Sequence, residues 1–175
     1  MRRQFSVVVE RTINELNGIT CLSWDDVKQN KKEIFSTRSF GERIFDAQTL
    51  NAALVTHGSI VAKKLRNQHS LTKKLLIFAS SSVHEDNYYK KSILYDFAVP
   101  TCDTIVIANA IAEVLPQIFK ANTRFYRCGV GAIELADSKF QQNDLFATTT
   151  DKPELMKCLD SINKRYGTGT LSLAC

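Results

Sequence analysis

Ser36, Thr37, Arg38, Ser39 and Gly41 stand close together in the stretch FSTRSFGER. Short hydroxyls donate hydrogen bonds, a guanidinium grips an anion with two parallel N–H groups, and a glycine lets backbone amides come close. That combination suits phosphate oxygens. Lys73, Lys74, Lys90, Lys91, Arg124 and Arg127 begin or lie in three later runs of β-like sequence. If those runs pair into a sheet, their charges gather round one face, and phosphate contacts made there are indifferent to base sequence. The plainer reading of any single strand-end lysine is a solvated guard against edge pairing.

A second candidate lies further along, where QQNDLF stands between the polar flanks ADSKF and ATTTDKP. The flanks have no hydrophobic period and read as loop. Leu145 and Phe146 are large apolar residues without a local core to claim them, so something outside the segment is expected to use them. The alternative is that both simply cap this chain's own core.

Other chemistry is poorly represented. The sequence contains no G-x-S-x-G, no H-E-x-x-H and no phosphate-binding loop, and the Gly-x-Gly of GTGTLSLAC is a turn before a short extended segment. Asp25 and Asp26 fit the first turn of a short helix capped by Ser23 better than a metal site. His57, His69 and His84 have no partner at metal-ligand spacing. The five cysteines stand singly, so reduced, mostly buried thiols in a cytoplasmic protein are expected. A chain of 175 residues, 44% hydrophobic and 23% charged, can bury a real core, and its net charge of +5 suits an acidic partner such as nucleic acid.

The elements that must position these groups follow from periodicity. A helix is expected from Arg2 to Leu16, stopped by Asn17-Gly18, and the charged KQNKK reads as a linker. Lys32 to Phe40 alternates as a strand. Asp46 caps a helix striped by Leu50, Ala53, Leu54, His57, Val61 and Leu65, where His57 is a core histidine. Lys73 to Ser80 and Ser92 to Val99 are strands flanking a loop at His84-Glu85-Asp86, and Pro100 is expected to end the second of them. The next helix, started by Thr101 or Asp103, is striped by Ile105, Ala108, Ile111, Ala112, Leu115 and Phe119, with Pro116 expected to kink or shorten its last turn. Arg124 to Leu135 is the fourth strand, with Gly129 and Gly131 marking a bulge. A final helix begins at Asp151, carries Leu155, Leu159 and Ile162 on one side, and stops at Tyr166-Gly167. The fold class is α+β. Its order is βαββαβ, a four-stranded sheet covered on one face by two helices, with an N-terminal and a C-terminal helix appended.

Taken in order, SVVVERTINELNGITCLSWDD, IFSTRSFGERI, VPTCDT, YRCGV, QNDLF and INKRYGTGTLSLA resemble the C-terminal part of UmuC-type subunits of DNA polymerase V, within the Y family of translesion polymerases. The resemblance covers essentially the whole chain. It implies that residues 1–31 are the end of the thumb and a tether, residues 32–136 the DNA-binding little finger, and residues 137–175 a clamp-binding tail with a C-terminal helix. On that basis Ser36, Thr37, Arg38, Ser39, Gly41, Lys73, Lys74 and Arg127 are expected to contact the backbone of primer-template duplex DNA. Gln142, Leu145 and Phe146 match the defining positions of the pentapeptide that docks on the sliding clamp, while Asn143 departs from the Leu common there. Further partners implied are a UmuD′-like subunit and a recombinase filament.

The resemblance reaches neither palm nor fingers, so catalysis by this chain alone is not expected. It carries no cofactor of its own, and magnesium belongs to the complete polymerase. The implied function is DNA gripping and clamp docking in error-prone synthesis during the SOS response. An RRM-like module for single-stranded RNA has the same element order, but neither KKLLIFAS nor RFYRCGVG carries its stacking-aromatic pattern.

Overall fold

The structure is a computed structural model that describes residues 6–21, 30–85, 87–140 and 151–173. The chain divides into two compact units, Met1–Lys31 and Lys32–Cys175. In the first, helix α1 (Val7–Leu16) ends at Asn17 and Gly18, whose φ of 78° is the left-handed turn that glycine accepts at no steric cost. Within that unit Val8 and Leu16 are exposed. Trp24, Asp25 and Asp26 lie outside the described residues.

The second unit runs β1 (Ile34–Ile44), α2 (Ala47–Asn67), β2 (Ser70–Ser81), β3 (Lys90–Thr101), α3 (Thr104–Ile118), β4 (Phe125–Asp137), a single 3-10 turn at Ser138–Phe140, and α4 (Pro153–Tyr166). This is the expected βαββαβ order. The sheet order is β1-β4-β2-β3 with every neighbouring pair antiparallel, so β4 fills the gap left by the β1-α2-β2 crossover.

The core lies between one sheet face and the two helices. Leu50, Leu54, Val61 and Leu65 of α2 meet Ile107, Ile111, Val114 and Ile118 of α3 above Leu75, Ile77, Val130 and Ala132 of the central strands. Asp46 caps α2 by accepting from Thr49 N at 2.7 Å, as its sequence position suggested. The α3 stripe differs from expectation. Its buried line runs through Ile107, Ala110, Ile111, Val114 and Ile118, while Ala112 is exposed. The helix is apolar on nearly every side, so spacing could not select the face. Pro116 lies in its last turn, and the helix ends two residues later.

Two more expectations are corrected. Gly129 and Gly131 pair regularly with both neighbours, so the bulge is not theirs. The irregular positions lie elsewhere: Phe40 to Arg43 stand opposite Tyr126, Phe97 to Pro100 stand opposite Lys73, and the β2–β4 register shifts between Ser80 and Ser81. Pro100 therefore sits inside β3, at a bulge on an edge strand, where a missing N–H breaks no ladder.

α4 is tied to the domain by polar groups. Arg66, at the end of α2, donates from Nε and Nη2 to Asp160 at 2.6 and 2.9 Å, and from Nη1 to Cys102 O and Thr104 Oγ1 at 2.8 and 2.9 Å. The buried Asp103 accepts from Ile105 N, capping α3, and from Lys152 N, each at 2.7 Å. Thr101 donates to Asp151 at 2.8 Å, and burial raises the Asp151 pKa against the opposing pull of that hydroxyl. The buried side of α4 carries Met156 and Asn163, whereas Leu155 is exposed, contrary to its expected place on the packed side.

Asp103→Ala removes a helix cap and strands a second amide, so a loss of about 2 kcal/mol is expected in urea unfolding. Burial pushes the Cys128 thiol up to about 12, while Cys158 is exposed. A thiolate reagent at mildly alkaline pH should label Cys158 and leave Cys128 unmodified until the protein is denatured, as read by peptide mass spectrometry.

Candidate nucleic-acid interface

Helices cover one face of the sheet, and strand alternation assigns every second residue to the other. Across β1, β4, β2 and β3 the register sets out rows on this open face. The first contains Ser39, Arg127, Ser80 and Lys90; the second Thr37, Gly129, Phe78 and Ser92; the third Phe35, Gly131, Leu76 and Leu94. Beyond them Ile133, Lys74 and Asp96 make a fourth.

The two glycines have a reason visible in these rows. A Cβ on Gly129 would meet Thr37 Cγ2 at 2.6 Å and the Phe78 ring at 2.8 Å, and one on Gly131 would run into the Phe35 ring. The rings occupy the space above the central strand that side chains there would need. Arg127 donates to Thr37 Oγ1 at 3.3 Å, and its guanidinium lies 6.0 Å from the Phe78 ring centroid. Arg43 lies 4.4 Å from the Tyr126 ring centroid and pairs with Glu85 at 3.3 Å.

The expected phosphate-binding cluster is divided by this geometry. Thr37, Ser39 and Arg127 share the open face. Ser36 does not: it is in phase with Ile34, buried, and bonded through Oγ to His57 Nδ1 at 2.9 Å. Its side chain therefore turns from the open face toward the helix layer. Arg38 shares Ser36's strand phase on the edge strand and is exposed. Gly41 lies exposed in the β1 bulge with open space around it. Lys73 donates to Ala98 O at 3.0 Å. Lys74 is held by Glu134 at 2.6 Å and faces Asp96 at 3.9 Å, and the Glu134 hydrogen bond raises its pKa. Its charge is largely matched within the protein.

Phe35, Phe78 and Tyr126 are aromatic residues at this face that were not among the expected contacts. Alternation in β2 was the available signal for Phe78. Gln142, Leu145 and Phe146 lie outside the described residues, whose nearest flanks are the turn at Ser138–Phe140 and the bonded pair Asp151 and Lys152.

Residues 31–145 match the impB/mucB/samB family C-terminal domain. The chain belongs to this family. Protein UmuC of Salmonella typhimurium (strain LT2) is 33% identical over 179 residues, covering 99% of this chain and 42% of that protein. Protein ImpB of Salmonella typhimurium is 30% identical, covering 94% and 40%, and Protein MucB of Escherichia coli is 31% identical, also covering 94% and 40%. The chain thus spans about two fifths of the length of these relatives. A second match, to a domain of unknown function (DUF4113), takes in residues 153–175, which include α4. Among solved structures, a complex of the beta-clamp processivity factor with the little finger domain of PolIV aligns at 10% identity and a TM-score of 0.46, covering 66% of this chain and 99% of that one.

In this UmuC-like chain, no group of three or more His, Cys, Asp or Glu among the described residues is placed to hold a metal ion. Ser36 and His57 do not form a nucleophile and base open to substrate: both are buried, and among the described residues the charges acting on the imidazole are Arg38 and Lys64.

Burial lowers the His57 pKa, and the Arg38 and Lys64 charges lower it further. The folded state thus prefers the neutral ring. Its contribution to stability is complete above the ordinary histidine value of 6.5 and is lost as pH falls through the lowered folded value. Urea unfolding across that interval should show the native chain weakening on acidification and a His57→Gln variant weakening less.

Proposed function

We propose that this chain is the DNA-gripping and clamp-docking region of an error-prone, UmuC-type translesion polymerase acting in SOS mutagenesis. The observation that carries the reading is the open sheet face, where Arg127 and Lys90 stand in one row with the hydroxyls of Ser39 and Ser80 and no carboxylate. Family membership and the UmuC, ImpB and MucB relatives support it. A sheet of this kind fits the major groove, with cations and hydroxyls on phosphates and no base readout.

In this reading residues 1–31 end the thumb, residues 32–136 are the little finger, and residues 137–175 carry the clamp peptide and the final helix. Gln142, Leu145 and Phe146 seat in the sliding clamp, which raises the local concentration of the enzyme at a primer end without a tighter hold on DNA. The complete enzyme works in the cytoplasm with magnesium, a UmuD′-like subunit and a recombinase filament. This chain by itself performs no nucleotidyl transfer.

Two binding measurements on the purified chain test the reading. Surface plasmon resonance should show binding to the sliding clamp that falls at least about tenfold in a folded Leu145→Ala/Phe146→Ala variant. Fluorescence anisotropy should show duplex DNA binding that weakens steeply with salt, with Arg127→Ala lowering the log–log slope by about 1 and Lys74→Ala changing it little. Failure of both native interactions would remove the reading, and tighter binding of single-stranded RNA than of duplex DNA would favour the RRM-like alternative.

A further inference from the structure

Where the β2-β3 hairpin ends, the open face dips into a notch of about 410 Å³. It is lined by Phe78 and Leu76 of β2, Tyr88 of the hairpin loop, Lys90 of β3, and Tyr126 and Arg127 of β4. We propose that this notch binds one unpaired nucleobase of a single-stranded DNA segment adjoining the gripped duplex. The inference rests on the DNA-binding reading and adds a ligand that a grip on phosphates does not require.

The chemistry of the lining selects this ligand. Three aromatic side chains, a leucine and a valine supply apolar surface, and two cations contribute the only formal charges among the lining residues. The hydroxyls of Ser39, Ser80 and Ser92 add donors and acceptors suited to base edges. Arg43 against Tyr126 and Arg127 near Phe78 interleave positive charge with ring faces. A base offers a polarisable face for the rings, and its phosphate carries the charge that Lys90 and Arg127 lack within the notch. The volume lies near the lower end of the range for small-ligand sites, roughly 300–1,000 Å³, which suits one nucleotide.

Pairing decides which base can enter. In a duplex both faces of each base are stacked, so a recessed aromatic group gains nothing from it. In a single-stranded segment one base can leave its neighbours and stack on Tyr88 or Phe78. Tyr88 is 49% exposed and has no ring partner among the described residues.

The test compares a blunt duplex with the same duplex bearing a single-stranded template overhang, using the intact chain and anisotropy at constant salt. The overhang carries the fluorescent base 2-aminopurine at each position in turn. The expected result is about tenfold tighter binding of the overhang DNA, with 2-aminopurine emission quenched at one position. Tyr88→Ala should abolish the difference and the quenching while leaving blunt-duplex affinity unchanged, and Tyr88→Phe should retain both. Equal affinity for the two DNAs, or an overhang preference unaffected by Tyr88→Ala and by Phe78→Leu, overturns the base site and leaves the DNA grip standing. Failure to bind either DNA overturns both. Tighter binding of an RNA overhang than of the DNA overhang also overturns the proposed ligand.

Discussion

The open face depends on the absence of two side chains. Gly129 and Gly131 are the outward positions of β4, and the Thr37 methyl with the rings of Phe78 and Phe35 fill the space their Cβ atoms would take. Glycine in a strand interior loses more freedom on folding than other residues. Here β4 is hydrogen-bonded on both sides, by β1 and by β2, which offsets that cost. The aromatic rings lie back over the central strand, and the polar row of Ser39, Arg127, Ser80 and Lys90 follows beside them. A methyl at either glycine would lift the rings toward solvent and disturb the surface proposed to meet DNA.

The inward face takes the opposite course. There small and branched residues of β2 and β4 accept two helices, and most of the hydrophobic stabilisation comes from that contact. α4 is attached differently, through Arg66, which joins the end of α2 to the start of α3 and to Asp160 in the middle of α4, and through Asp103, which joins the starts of α3 and α4. Such groups have directional requirements that an apolar contact lacks. They fix where the chain resumes after residue 150, and thus one end of the segment that carries Gln142, Leu145 and Phe146.

A count of basic residues overstates what is offered to phosphate. Lys74 is matched by Glu134, Arg43 by Glu85 and the Tyr126 ring, and Arg66 by Asp160. Arg127 and Lys90 stand on the open face, and the exposed Arg38 lies in the alternate phase of the edge strand. Geometry reduces a generally basic surface to a few directed cations. The proposed duplex grip and the proposed single-base site would draw on those same cations, with the aromatic rings separating one task from the other.

The element order, the cap at Asp46, the core side of α2 and the stop at Tyr166-Gly167 were legible in the sequence, because each follows from a period or a local hydrogen bond. The separation between the cysteine types was not, since burial of Cys128 and exposure of Cys158 depend on distant elements. In β1 hydroxyls and charges occur on both strand phases, so the text alone did not show that Ser36 turns inward to His57. α3 is apolar almost all round, and only contact with α2 and the sheet selects its buried side. Gly129 and Gly131 suggested a bulge until pairing supplied rings from two other strands to fill the space beside them. Local periodicity determined which segments become helix and strand. Strand register and packing decided which of their side chains share a surface, because those relations join residues far apart in the chain.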